Sequence, residues 1–460
     1  MRFEPPELKI DQESPWSASA FPLSDTGQKL THLVKGVEGP AVISLTSPWG
    51  TGKTTFLDMW AASLKKDKAK VVKFSAWEVD YTHDALVALI QELGSQLQAH
   101  QAKSPSFDKV RNKGLELVRT VTPFAVKIAT SGLIDLEGVG ELSKELVEKK
   151  LQAHESAKKS AEGFRDCLQK YAEDLQEVGN EFPLVIIVDE LDRCRPSYAV
   201  ELLESIKHFF NVPGVVFVIG IDGEQLGEAI KGHYGQGYDG HRYLRKFFHL
   251  QLRLPEPDLE SFCANLLNKL GIKEGFDGLG RSSRSESSFP NDFIVNLART
   301  YRLSLRDIER LMLEAGAIHA ANPKFPPILA APILWLLVQR YENPSLFDEA
   351  TSKRLNSEAL WKHIENDRKT LFRGSEDLEI RFRVIFTYLI EGKVGVGQLH
   401  RRAKEITEAD GAKAPDSRYW GQIISKCLHF LEIDSQRDFM DDALSTMSLL
   451  GYRRLNDIYY

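Results

Sequence analysis

The chain has 460 residues, 42% of them hydrophobic and 27% charged, with a formal net charge of −6 from 59 Lys and Arg against 65 Asp and Glu. That length exceeds one compact core and predicts about two or three domains, and the acidic balance offers no overall attraction to nucleic acid or anionic lipid, so only a local basic patch would serve such partners. Cys167, Cys194, Cys263 and Cys427 stand far apart, with no CxxC pair and no His at ligand spacing, which argues against a zinc site or a disulfide framework and for reduced thiols in the cytoplasm.

Residues 1–25, rich in Pro, Ser and charge, read as an extended arm leading to a short helix from Thr26 to Lys35. The first residues carry no apolar signal segment. Ala41–Thr46 is an apolar strand that runs into Ser47-Pro48-Trp49-Gly50-Thr51-Gly52-Lys53-Thr54-Thr55, a glycine-punctuated turn opening a helix from Thr54 to Lys65. This is the pattern of a phosphate-binding loop. Gly50 and Gly52 can take backbone angles that other residues resist, so successive amides can turn inward around phosphate oxygens. Lys53 can reach the terminal phosphates, Thr54 can offer its hydroxyl to Mg²⁺, and the helix start presents the positive end of its dipole to the same anion. Pro48 to Thr55 are therefore the expected nucleotide contacts. The usual pattern begins with Gly where this chain has Ser47.

Lys70–Phe74 reads as a second strand, followed by Ser75-Ala76-Trp77-Glu78-Val79-Asp80 and a helix with an apolar stripe at Leu86, Leu89, Ile90, Leu93 and Leu97. Trp77 is expected to pack between the sheet and a helix. From about 95 to 182 the pattern changes to long charged helices, and Leu142, Leu146, Leu151, Phe164, Leu168, Tyr171 and Leu175 predict coiled or paired packing. This is an insertion, because one strand-helix-strand crossover needs only ~30 residues. Its charge run from Lys144 to Lys150 reads as a solvated face.

Leu184-Val185-Ile186-Ile187-Val188 is a continuous apolar strand that needs helices on both faces, and it ends in Asp189-Glu190. Carboxylates at the tip of such a strand lie where open α/β sheets bind ligands, so Asp189 is placed for the Mg²⁺ shell and Glu190 for polarising a water. A helix from Tyr198 to Phe210 and a strand from Val215 to Ile221 follow. Asp222, at that strand's tip, has two open readings, orienting the lytic water or capping the next helix near Glu224–Lys231. A glycine-rich turn, Gly232–Gly240, leads to Arg242-Tyr243-Leu244-Arg245-Lys246 and a last strand, Phe248–Leu254, stopping at Pro255. From Asp258 onward only helices are predicted, with a mobile loop at 271–290, a lid to about 325 and a separate helical region from 326 to 460. The apolar runs Thr122–Leu136 and Pro327–Val338 are, respectively, interrupted by Lys127 and Asp135 and shorter than the ~20 residues of a membrane span, so no span is expected.

With the loop Trp49-Gly50-Thr51-Gly52-Lys53-Thr54, the strand exit Phe74-Ser75-Ala76-Trp77-Glu78, the box Asp189-Glu190-Leu191-Asp192-Arg193-Cys194, and Tyr243-Leu244-Arg245-Lys246 before Leu254-Pro255, the chain resembles the KAP family of P-loop NTPases. That family lies within the additional-strand group that also holds AAA+ and STAND ATPases. The resemblance implies an α/β P-loop fold with a parallel sheet flanked by helices, a helical insertion, a helical lid, and binding and hydrolysis of ATP with Mg²⁺. It implies Arg245, or Arg242, as a finger completing the site, and Arg306 in Ser304-Leu305-Arg306-Asp307 as a lid arginine sensing the γ-phosphate. Glu190 departs from the family's usual second aspartate toward the AAA+ pattern, and the absence of membrane helices departs from many members. Soluble bacterial members include a phage-exclusion protein, which implies antiviral defence as a setting and a homo-oligomer working with other proteins.

Three alternatives compete with an ATP-driven switch or motor. A GTPase would need an Asn/Thr-Lys-x-Asp tetrad, and Asn268-Lys269-Leu270-Gly271 lacks the aspartate. A non-hydrolysing ATP scaffold sits poorly with intact Lys53, Thr54, Asp189 and Glu190. Nucleic-acid remodelling would need a basic channel that the acidic composition does not advertise.

Overall fold

The computed structural model describes residues 9–20, 22–82, 84–100, 105–131, 144–177, 181–270, 289–321, 330–351, 356–373 and most of 379–401. They form two compact units that divide between Glu256 and Pro257.

The first unit is built on five strands, β1 (Ala41–Thr46), β2 (Val71–Ser75), β3 (Leu184–Asp189), β4 (Val215–Ile221) and β5 (Leu250–Arg253), in the spatial order β2-β3-β4-β1-β5. Every pairing is parallel. β3 and β4 are buried along their whole length, as their unbroken apolar sequences require of strands covered on both faces. β4 stands between the loop strand β1 and the carboxylate strand β3, which is the additional strand that the resemblance implies. Register brings Thr46 beside Ile221 and Ser75 beside Asp189, so the phosphate loop, Asp189, Glu190 and Asp222 follow the carboxyl ends of the strands.

Side chains alternate across the sheet. Val185, Ile187, Val216 and Val218 meet α1 (Ser24–Lys35) and α2 (Lys53–Lys66) through Leu30, Val34, Phe56, Leu57 and Trp60. Ile186, Val188, Phe217 and Ile219 meet the opposite layer. That layer holds α4 (Ala85–His100), which follows the short α3 (Ala76–Val79), and α7 (Pro196–Phe209) and α8 (Gly223–Tyr234), which come after the insertion. The N-terminal arm is anchored by Trp16, whose ring packs on Phe56 at 5.7 Å and fills the space left by the missing side chain of Gly27.

In the insertion, α5 (Pro105–Ser131) and α6 (Lys144–Glu177) pack along each other, with Phe164, Leu168, Tyr171 and Leu175 buried as the stripe predicted. Leu151 is a correction: it is 60% exposed, in a run of α6, 151–156, that is exposed on every side. Leu142 and residues 271–288 of the loop predicted at 271–290 lie outside the described residues, while Phe289 and Pro290 already belong to a helix. The turn at 232–240 is organised by rings rather than left to its glycines, since Tyr234, Tyr238 and Tyr243 stack within 4.7 to 5.9 Å of one another and Tyr243 meets Phe247. Tyr243 lies on α9 (Gly240–Leu244).

The described part of the second unit is helical: α10 (Leu259–Leu270), α11 (Phe289–Thr300), α12 (Leu305–Ala321), α13 (Ala330–Glu342), α14 (Pro344–Thr351), α15 (Ser357–Glu365) and α16 (Arg368–Leu371). Trp335 is fully buried there and donates to Tyr301, whose hydroxyl donates to Asp367. Among the described residues, no helix is long and apolar enough to cross a membrane.

Gly220 on β4 is the tightest point near the strand tips. A Cβ there would lie 2.6 Å from Leu57 Cδ1, 2.9 Å from Asp189 Oδ1 and 3.6 Å from Lys53 Cδ. Gly220→Ala is expected to cost about 1–3 kcal/mol in denaturant unfolding. Gly39→Ala, where a Cβ meets nothing within 4 Å, is the control, and equal midpoints for the two variants would contradict this packing.

Candidate functional site

The loop between β1 and α2 is shaped by two left-handed glycines, Gly50 at φ 73° and Gly52 at φ 89°. A side chain at either position would be strained. Ser47 N–H donates to Ile221 O at 3.2 Å, which ties the loop to β4. Thr51 Oγ1 donates to Pro48 O at 2.8 Å and lies 2.9 Å from Ser47 Oγ, so the serine that replaces the usual glycine is a hydrogen-bonding partner within the loop. Lys53 is buried at the first turn of α2 and donates from Nζ to Ser47 O at 2.8 Å. Burial pushes its ammonium below the ordinary lysine value, while Asp192, Asp189 and Asp222 pull the other way.

Asp189 ends β3 with no exposed surface. Its Oδ1 accepts from Glu190 N–H at 2.9 Å, and its Oδ2 is buried without a hydrogen-bond partner. Burial raises its pKa, opposed by Lys73, by the Thr54 hydroxyl and by the Glu190 N–H. An orphaned carboxylate oxygen costs free energy unless a cation meets it, and with the Thr54 hydroxyl beside it the pair fits the oxygen-donor chemistry of Mg²⁺. Thr54, Asp189 and Lys53 are brought together as expected from the sequence, with Gly220 leaving the space between them.

Glu190 takes the left-handed conformation, φ 60° and ψ 26°, which is strained for a non-glycine residue. Its carboxylate is held on both sides: Ser75 Oγ donates to Oε2 at 2.8 Å, and Arg193 pairs with Oε1 at 2.5 Å. Neither partner was visible in the sequence, because each depends on the strand register and on the turn after β3. Asp222 caps α8, accepting from Glu224 and Gln225 N–H at 3.1 and 3.2 Å, while its other oxygen accepts from Trp49 N–H at 3.1 Å. The indole N–H of Trp49 donates to Asp192 Oδ2.

Trp77 is a correction, being 54% exposed. Ser75 accepts from Glu78 N–H and turns the chain straight into α3, which puts Ala76 inward and Trp77 out. The segment after it is clamped by Arg195, whose Nε and Nη2 lie 3.0 and 2.8 Å from Asp80 Oδ1 and whose N–H donates to Oδ2 at 3.1 Å. Arg242 and Arg245 are exposed around α9, and among the described residues no hydrogen bond or ion pair joins Arg245 to the loop. Arg306 is exposed on the first turn of α12, in the second unit.

The sequence matches the KAP family P-loop domain over residues 27–322, more than half of the chain. It belongs to the KAP family. This KAP chain is 22% identical over 326 residues to the phage T7 exclusion protein of Escherichia coli K12, covering 69% of this chain but only 43% of that protein. It is 24% identical over 178 residues to an uncharacterized protein of Methanocaldococcus jannaschii, covering 33% of this chain and 90% of the other. A solved structure of the Aeropyrum pernix ORC2 protein, in ADPNP and ADP complexes, aligns over 93% of this chain and 95% of its own at 14% identity, with a TM-score of only 0.33.

Because burial raises the pKa of Asp189, the folded state binds that proton more tightly than the unfolded chain, and the ionised group is a net cost to the fold. Its contribution therefore weakens stability as pH rises above the unfolded carboxylate value. Asp189→Asn, in Mg²⁺-free and nucleotide-free buffer at pH 7, is expected to unfold at a higher temperature than wild type and to show a flatter pH dependence across that window. A lower unfolding temperature would show that Lys73 and Lys53 outweigh burial.

Proposed function

We propose that this KAP protein is a Mg²⁺-dependent ATPase acting as an ATP-driven switch or motor within a larger assembly. The observation that carries the reading is the partnerless Oδ2 of buried Asp189, beside Thr54 and across Gly220 from Lys53, at the end of a left-handed glycine loop. Pro48 to Thr55 cradle the phosphates, and Lys53 exchanges the carbonyl of Ser47 for phosphate oxygens. Thr54 and Asp189 would hold Mg²⁺, which when bound there neutralises charge on the transferring phosphoryl group. Glu190 polarises the attacking water, with Ser75 and Arg193 fixing its carboxylate. Asp222 anchors the loop through the Trp49 amide.

Arg245 and Arg306 complete the charge balance in this reading, the first from a neighbouring subunit of a homo-oligomer and the second from the lid. ATP is preferred over GTP because the guanine-reading tetrad is missing. The similarity to a phage T7 exclusion protein supports antiviral defence as the setting, although this chain spans less than half of that relative. One observation favours a second reading: both oxygens of Glu190 are already occupied, which suits a protein that binds ATP without turning it over.

Lys53→Ala is expected to weaken ATP binding roughly 30-fold or more, since losing one partner of a buried charge contact costs about 2 kcal/mol or more. Tight ATP binding by this variant in a direct assay would rule out the phosphate-loop role. Glu190→Gln should keep ATP and lose turnover by roughly 10²–10⁴-fold. Equal slow turnover in wild type and Glu190→Gln would instead support the non-hydrolysing reading.

A finger across a subunit boundary predicts rescue in mixtures. Arg245→Ala should slow hydrolysis without losing ATP affinity, and mixing it with Glu190→Gln should restore part of the activity. No rescue, in subunits shown to exchange, would place the arginine's action within its own chain or remove it from the site.

A further inference from the structure

Asp192 is a buried carboxylate that the nucleotide reading leaves without a task. It lies on the short turn Leu191–Arg193 after β3 and is 8% exposed. Its two oxygens differ: Oδ2 accepts the indole N–H of Trp49, and Oδ1 is buried without a hydrogen-bond partner. Of the carboxylates acting on Lys53 it exerts the largest pull, ahead of Asp189 and Asp222. A negative group so close to a phosphate site works against the ligand's own charge, so its place there calls for a compensating gain.

Trp49 supplies that gain. It stands between Pro48, whose ring fixes its own backbone and leaves no N–H to tie, and the left-handed Gly50. The residue is 46% exposed, too open to be held by packing alone. Two bonds fix the residue instead. Its backbone N–H is bound by Asp222 at the tip of β4, and its side-chain N–H by Asp192 beyond the tip of β3. A hydrogen bond to a carboxylate is the stronger kind, and here it fastens the middle of the loop to the turn that follows the strand carrying Asp189.

We propose that Asp192 is a positioning residue of the phosphate loop, holding its curvature through the indole N–H of Trp49. The proposal rests on the nucleotide reading above. Its chemistry separates three substitutions: Trp49→Phe keeps a ring and loses the donor, Asp192→Asn keeps an acceptor and loses the charge, and Asp192→Ala loses both.

The test is a double-mutant cycle on the full chain, read as calorimetric affinity for ATP with Mg²⁺, each protein first shown to unfold cooperatively. Trp49→Phe and Asp192→Ala should each weaken binding about tenfold, the double variant should be little worse than either single, and Asp192→Asn should recover most of the loss. Losses that multiply in the double variant, or Asp192→Asn as weak as Asp192→Ala, would overturn the positioning role. If Asp192→Ala does not fold, Trp49→Phe decides, since unchanged affinity without the indole donor overturns the proposal. No ATP binding by wild type would sink the nucleotide reading and this proposal together, whereas wild-type binding with multiplying losses sinks this proposal alone.

Discussion

A carboxylate without exposed surface and a buried lysine flank one glycine at the carboxyl edge of the sheet, and the first unit is organised around making that tolerable. Asp189 and Lys53 each pay for burial in a shifted pKa, and each is left short of an ideal partner: Lys53 borrows a loop carbonyl, and Asp189 keeps one oxygen unbonded. Such a pair is poor material for stability and good material for receiving an ion and an anion together. The residues around it follow from that need. Gly220 has to be glycine because Leu57, Asp189 and Lys53 fill the volume above it.

The loop is held from outside rather than by its own packing. Asp222 binds its backbone, Asp192 binds its indole, and Ile221 O binds its first residue, so the tip of β4 and the turn after β3 share the work. The parallel sheet makes this possible, since its connections deliver several strand ends to one edge in register. Glu190 gains its place at a backbone cost, in a left-handed conformation secured by Ser75 and Arg193. Strain held by its surroundings in this way is common where a side chain must be aimed.

Local chemistry made much of this legible. β3 and β4 are unbroken runs of branched apolar residues, and only a strand covered on both faces tolerates them, so the sheet's centre and the tip carrying Asp189 could be read directly. Gly50 and Gly52 announced left-handed backbone that the structure contains. What escaped depends on contacts between distant segments. Ser75 meets Glu190 only through the register of β2 against β3, and Trp49 meets Asp192 only after the loop has folded back. Trp77 looked like a core residue by its size, yet one serine hydrogen bond turns the chain and faces it outward. Leu151 matched the helical stripe, but a stripe does not say where its partner helix covers it. Arg245 and Arg306 rest on resemblance alone, and neither is joined to the site by a described contact.

The most direct test of the paired charges as a nucleotide site is the Mg²⁺ dependence of ATP binding to the unmodified chain. Calorimetric titrations with and without Mg²⁺, at equal ionic strength, should show markedly tighter binding when the metal is present, because Thr54 and Asp189 would hold it and its charge would offset that of the phosphates. Identical affinity in the two conditions, or no binding in either, would contradict the assignment.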